Sequence, residues 1–152
     1  MSSSNKLFEK VIALSRANNW HDAKMEWVFR GFAQGVADET CLCGKCSISK
    51  VFTLCNLYTE SKIELGSSCI NKFIPFSDSM LRKNAIEVLQ DNAKQFHLKT
   101  MNQCVAQGII EQNEFLYYLP VGKRKSIEPC KLEHRFAVNK KVVSKLMVIR
   151  NL

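Results

Sequence analysis

The sequence predicts a mainly helical α+β single domain with one β-hairpin, and three observations point there. Stretches with apolar residues at helical spacing flank a single β-rich run. That run places Ile48, Val51, Phe52, Thr53 and Leu54 in one strand, and Ile63 and Leu65 in a shorter one. The composition, 46% hydrophobic and 24% charged over 152 residues, suits a chain able to bury a core and carries no signature of disorder.

Taken in order, Leu7, Val11 and Leu14 recur at helical spacing behind the candidate caps Ser2, Ser3 and Ser4. Asn18-Asn19 reads as a turn, and a second helix over residues 20–33 would align Ala23, Trp27 and Phe32 before Gly31 and Gly35 weaken its end. These helices form an N-terminal part, 1–36. The hairpin part, 37–76, joins its strands through residues 56–61, a polar loop without glycine. Ser67 or Ser68 then caps a short helix carrying Cys69, Ile70 and Phe73 before Pro75.

In a third part, 77–119, an amphipathic helix is expected from Ser77 or Asp78 to about His97, with Leu81, Ala85, Leu89 and Phe96 facing inward. A further helical stretch over 101–118 is divided by Gly108 and closed by Pro120. The last part, 120–152, reads as a basic loop followed by a helix over 139–150. There is no internal repeat.

The chemistry concentrates in Cys41-Leu42-Cys43-Gly44-Lys45-Cys46, followed at hairpin distance by Cys69. Closely spaced thiols around a glycine make a tight knuckle that aims several sulfurs at one point, and the hairpin returns the chain so that Cys69 can close the site. Cys41, Cys43, Cys46 and Cys69 together give four thiolates, the donor set of a structural zinc ion with no open position. The hairpin is therefore expected to be zinc-stabilised. Cys55 is the alternative ligand in place of Cys46 or Cys43, while Cys104 and Cys130 read as core residues. Seven cysteines with such clustering do not suggest a disulfide framework, and no iron–sulfur spacing is present.

From residue 20 to 73 the chain resembles a family of small, mostly uncharacterised proteins and modules of bacteria, phages and other viruses. The resemblance is carried by Glu26-Trp27, Cys41-Leu42-Cys43-Gly44, Asn56, Thr59 and the run from Leu65 through Gly66, Ser67, Ser68, Cys69, Ile70, Asn71 and Lys72 to Phe73. In that family a histidine often follows the knuckle and looks like the third zinc ligand; here Lys45 stands there, with Cys46 beside it to take the role. The resemblance implies a zinc-stabilised hairpin and brings no activity.

The formal charge of +8 is unevenly placed: residues 1–40 sum to zero, 41–73 to +2, 74–119 to −1 and 120–152 to +7. Lys123, Arg124, Lys125, Lys131, Arg135, Lys140, Lys141 and Lys145, with Tyr117, Tyr118 and Phe136 close in sequence, form a candidate nucleic-acid surface for DNA or RNA. No base-reading motif accompanies it, so binding would be led by charge and shape. A viral or mobile-element protein that binds and inhibits an acidic host protein is the second reading, and an enzyme of unknown type the third. His21, His97 and His134 are scattered, and no phosphate loop, nucleophile motif or paired carboxylates stand out, so a non-enzymatic binding module is expected.

No run approaches the roughly 20 apolar residues of a membrane span, and residues 1–10 have neither the basic nor the apolar region of a secretory signal. A cytoplasmic location is expected, or the host cytoplasm or nucleus for a viral protein.

Overall fold

The computed structural model describes residues 3–118 and 129–146. The fold is α+β, and its described residues fall into two compact units: 3–75 with Leu146, and 76–118 with 129–145.

The first unit begins with α1 (Ser3–Ala13), whose Leu7 and Val11 lie one turn apart and are fully buried. Burying two such side chains contributes roughly 1.5–3 kcal/mol each. A loop leads to the single turn α2 (Trp20–Ala23), capped by the Asn19 side chain, which accepts from the Asp22 N–H at 2.9 Å. Trp20 stacks on Phe8, with ring centroids 4.2 Å apart, and meets Phe73 edge-on at 5.2 Å. These contacts fasten α1, α2 and the segment after Cys69 together.

The helix expected over residues 20–33 does not form beyond Ala23. A 3-10 turn (Lys24–Glu26) passes into a long strand, β1 (Trp27–Glu39). Trp27 and Phe32 sit beside Val28 and Phe29, aromatic and β-branched residues that favour a pleated surface once a partner strand is present, and Gly31 and Gly35 weaken the helical alternative. The partner is β2 (Ile48–Asn56), antiparallel to β1 with Trp27 opposite Asn56 and Phe32 opposite Phe52. Register shifts fall between Phe29 and Gly31 and between Gln34 and Glu39.

The expected hairpin is present. β3 (Lys62–Leu65) pairs antiparallel with β2 from Phe52–Leu65 to Cys55–Lys62, giving the sheet order β1-β2-β3. Its loop is organised by Asn56, whose side-chain oxygen accepts from the N–H groups of Tyr58 at 2.8 Å and Thr59 at 3.0 Å. Thr59 Oγ1 donates to the Leu14 carbonyl at 2.8 Å, tying the loop to the end of α1. Glu26 completes the latch: its buried carboxylate accepts from the N–H groups of Arg16 and Ala17 and from Asn56 Nδ2. Glu26, Asn56 and Thr59 thus hold the hairpin loop to the helical segment.

After β3 comes α3 (Ser67–Ile70), preceded by Gly66 rather than by a serine cap.

The second unit is helical. Asp78 caps α4 (Ser79–Gln90) by accepting from the Met80 and Leu81 N–H groups, and Leu81, Ala85 and Leu89 are buried as expected. The helix stops at Asp91, short of the expected His97, and His97 instead caps α5 (Leu98–Ala106). Phe96 is buried, but in the intervening loop. Its N–H donates to Tyr118 Oη at 2.8 Å, and Tyr118 donates to Asn139 Oδ1 at 2.7 Å. Asn139 Nδ2 in turn donates to the carbonyls of Asn92 and Lys94. Burial leads in pushing the Tyr118 hydroxyl up to about 12, so it remains a donor.

Gly108, at φ +74°, separates α5 from α6 (Gln112–Tyr118), as its position suggested. The last described helix, α7 (Pro129–Val143), starts ten residues before the expected 139. Proline at the first helical position lacks only an N–H that would have no partner there, so it opens the helix rather than ending a loop.

Candidate metal centre

The knuckle before β2 closes on itself through backbone hydrogen bonds. Cys41 N–H donates to the Lys45 carbonyl at 2.9 Å, and Gly44 N–H to the Cys41 carbonyl at 2.8 Å. Gly44 has φ +100°, a conformation that a side chain would strain. Leu42 N–H donates to the Glu64 carbonyl at 3.0 Å and fastens the knuckle to β3. Because β3 is short and α3 follows at once, Cys69 comes back to the same place.

Cys41, Cys43 and Cys69 are all buried, and their sulfurs lie within 4.8 Å of one another. The three are positioned to bind a metal ion. Sulfurs on one tetrahedral zinc stand roughly 3.8 Å apart, given a Zn–S bond of about 2.3 Å, so small side-chain adjustments suffice. The Gly66 N–H donates to Cys41 Sγ at 3.3 Å, which orients that sulfur.

The electrostatics separate the three thiols. Burial opposes ionisation of Cys43, yet the Lys45 N–H and the Cys41 and Cys69 side chains hydrogen-bond to its sulfur and hold its pKa below the ordinary cysteine value. Burial, followed by the hydrogen bonds and charge of Cys41 and Cys43, pushes Cys69 far up. Thiolates packed this closely repel one another, and a bound cation removes that penalty.

Cys46 lies outside this cluster: it is exposed, with its sulfur 3.7 Å from the Gly44 carbonyl. Cys55 is also outside, half-buried in β2 opposite Lys62 at the loop end of the hairpin. It lies seven steps along the strand from Ile48, roughly 23 Å in an extended conformation. Cys104 is a core residue as expected, its thiol pushed up to about 12 by burial. Cys130 is not: it is exposed on α7, where the Tyr117 hydroxyl approaches its sulfur.

The basic surface read from the sequence divides. Lys123, Arg124 and Lys125 lie outside the described residues. Lys131 and Arg135 belong to α7 rather than to a loop. Arg135 donates to the Ala93 carbonyl at 3.0 Å, and Lys141 pairs with Glu114 at 2.9 Å, so both serve the second unit internally. Lys140 and Lys145 are exposed. His21 is exposed, and His134 Nε2 sits 3.1 Å from the Glu114 carbonyl.

A cleft of about 610 Å³, bounded by α1, the knuckle, the start of β2 and α3, takes in the cysteine cluster itself, with Cys41, Cys43 and Cys69 in its wall. Sequence reasoning missed it, since its walls come from four separate segments.

The fold and the cluster define a small α+β chain with three buried thiols positioned to hold a metal ion. No protein-family model, curated protein or solved structure matches it. Among the described residues no helix is long and apolar enough to cross a membrane.

Proposed function

We propose that the chain is a non-enzymatic binding module whose first unit is stabilised by a structural zinc ion, and that its partner is nucleic acid. The observation that carries the zinc reading is the convergence of Cys41, Cys43 and Cys69, buried and within 4.8 Å, from two segments separated by a hairpin. A soft, thiol-only donor set selects zinc over hard cations. Cys46 is the fourth thiolate in this reading: it stands three residues after Cys43 at the exposed end of the knuckle and would have to turn inward on metal binding. A closed four-thiolate site supplies folding free energy and no chemistry.

The nucleic-acid reading is supported by the charge distribution, with +7 of the +8 in residues 120–152 and Lys140 and Lys145 exposed on the described part. Electrophoretic binding at two salt concentrations tests it. Affinity led by phosphates must fall steeply as salt rises. Capture of a protein insensitive to salt, with no retention of DNA or RNA, would sink it.

A further inference from the structure

Four lysines, Lys6, Lys45, Lys50 and Lys72, line the cleft whose wall holds Cys41, Cys43 and Cys69, together with four serines that include Ser47 and Ser68. No aspartate or glutamate is among the lining residues. Among the described residues the one ion pair is Lys141–Glu114, in the other unit, and none of the four lysines forms an ion pair with a described carboxylate. They come from α1, the knuckle, β2 and the segment after α3 and converge on a single concavity. The first unit carries no large net charge, with residues 1–73 summing to +2, so this concentration of cations is a matter of placement rather than of composition.

We infer that this cleft is a binding site for phosphate groups, with lysine ammonium groups supplying the charge and serine hydroxyls the directed hydrogen bonds. Lysine is a compact, strongly hydrated cation suited to phosphate as a point charge, and a concave wall concentrates the field of several such groups. The four ammonium groups outweigh the negative charge of a zinc tetrathiolate next to them. The inference rests on the zinc-stabilised module above, because the metal fixes the knuckle that carries Lys45 and Ser47 against the segment that carries Ser68 and Lys72. It adds a phosphate contact in the first unit to the one proposed for the basic C-terminal segment.

The test uses the full zinc-loaded chain and two probes: a fluorescent single-stranded oligonucleotide and inorganic pyrophosphate as its competitor. Three proteins are compared: the parent, the double variant Lys50→Gln/Lys72→Gln, and the double variant Lys140→Gln/Lys145→Gln, with zinc content measured for each. The cleft variant should lose at least tenfold in oligonucleotide affinity, with zinc content unchanged. Its salt slope should fall by about 1.4, from about 0.7 per lost phosphate contact on a single strand. The C-terminal variant should also lose affinity, since Lys140 and Lys145 belong to the proposed basic surface, and the loss in the cleft variant should be the larger of the two. Competition by pyrophosphate at low concentration would identify a small phosphorylated molecule as the occupant, and competition by oligonucleotide alone a nucleic-acid backbone; either supports the site. Unchanged binding by a cleft variant that still holds zinc overturns the cleft and leaves the zinc module standing. So does failure of the zinc-loaded parent to bind either probe while it binds an acidic peptide. A parent that folds without zinc overturns the module itself, and this inference with it.

Discussion

The Gly66 N–H points at the sulfur of Cys41, 3.3 Å away, and this contact joins the end of the hairpin to the knuckle that precedes it. Gly66 is also a point of close approach: a Cβ there would stand 3.2 Å from Ile48 Cγ2. Gly66 has φ −79°, which alanine adopts without strain, so the outcome of Gly66→Ala rests on whether buried Ile48 can give way by a few tenths of an ångström. Held in the core, Ile48 should make the substitution cost about 1 kcal/mol and lower the metal affinity as the N–H moves off the sulfur. Denaturant unfolding and metal competition check both effects. In an Ile48→Ala background, where the obstructing methyl is gone, the added cost of Gly66→Ala should shrink.

The Glu26 carboxylate has a second, independent consequence. Burial acts to raise its pKa, but the N–H groups of Arg16 and Ala17 and the Asn56 side chain favour the charged form, and the net effect lowers it. A group with a lowered folded pKa contributes stability above the unfolded value, ~4.3 for glutamate, and loses it as pH falls through the folded value. The first unit should lose stability in that acid window. Glu26→Gln, which presents a donor where acceptors are needed, should cost about 1–3 kcal/mol near neutral pH and progressively less in acid. Equal losses at both pH values would contradict the latch.

In the second unit the hydroxyl of Tyr118 serves two partners at once, the Phe96 N–H and Asn139 Oδ1. Tyr118→Phe leaves the buried Phe96 N–H without its acceptor and should destabilise this unit by about 1–3 kcal/mol. Thermal unfolding of the variant, compared with that of Glu26→Gln, would show which transition belongs to which unit.

Thr100 offers the opposite case. Its Oγ1 is fully buried on α5 with no hydrogen-bond partner among the described residues. Thr100→Val keeps the shape and removes the desolvation penalty, so it should leave stability unchanged or raise it by up to about 1–3 kcal/mol. A marked loss in urea unfolding would mean that the hydroxyl has a partner.

These cases also mark how far the sequence could be read. The knuckle, the hairpin and the start of α4 at Asp78 are local features, written in cysteine spacing, β-branched residues and a capping side chain. What escaped depends on distant partners. Trp27 and Phe32 fit a helical face as well as a strand, and only pairing with Asn56 and Phe52 decides for the strand. α4 stops at Asp91, whose side chain accepts from the Ala93 N–H, and the loop beyond it is held by Asn139, far along the chain, through the carbonyls of Asn92 and Lys94. Pro129 at the start of α7 is as compatible with a first helical position as with the loop expected there, so the sequence left that start open. In the metal centre, spacing brought Cys41, Cys43 and Cys69 together, but whether Cys46 turns toward them depends on a local backbone conformation that spacing alone does not fix.

The ligand set can be separated by single substitutions. Cys41→Ser, Cys43→Ser and Cys69→Ser should each release zinc at chelator concentrations the parent withstands, and Cys46→Ser should weaken binding to a lesser degree. Cys55→Ser, at the far end of the hairpin, should leave zinc affinity unchanged. A loss with Cys55→Ser and none with Cys46→Ser would exchange their roles.

The most direct measurement is the zinc content of the purified chain by mass spectrometry, followed by thermal unfolding with and without chelator. About one zinc per chain is expected, with loss of the cooperative unfolding of the first unit once the metal is removed. A chain that contains no metal and unfolds cooperatively, unaffected by chelator, would contradict a zinc-stabilised fold.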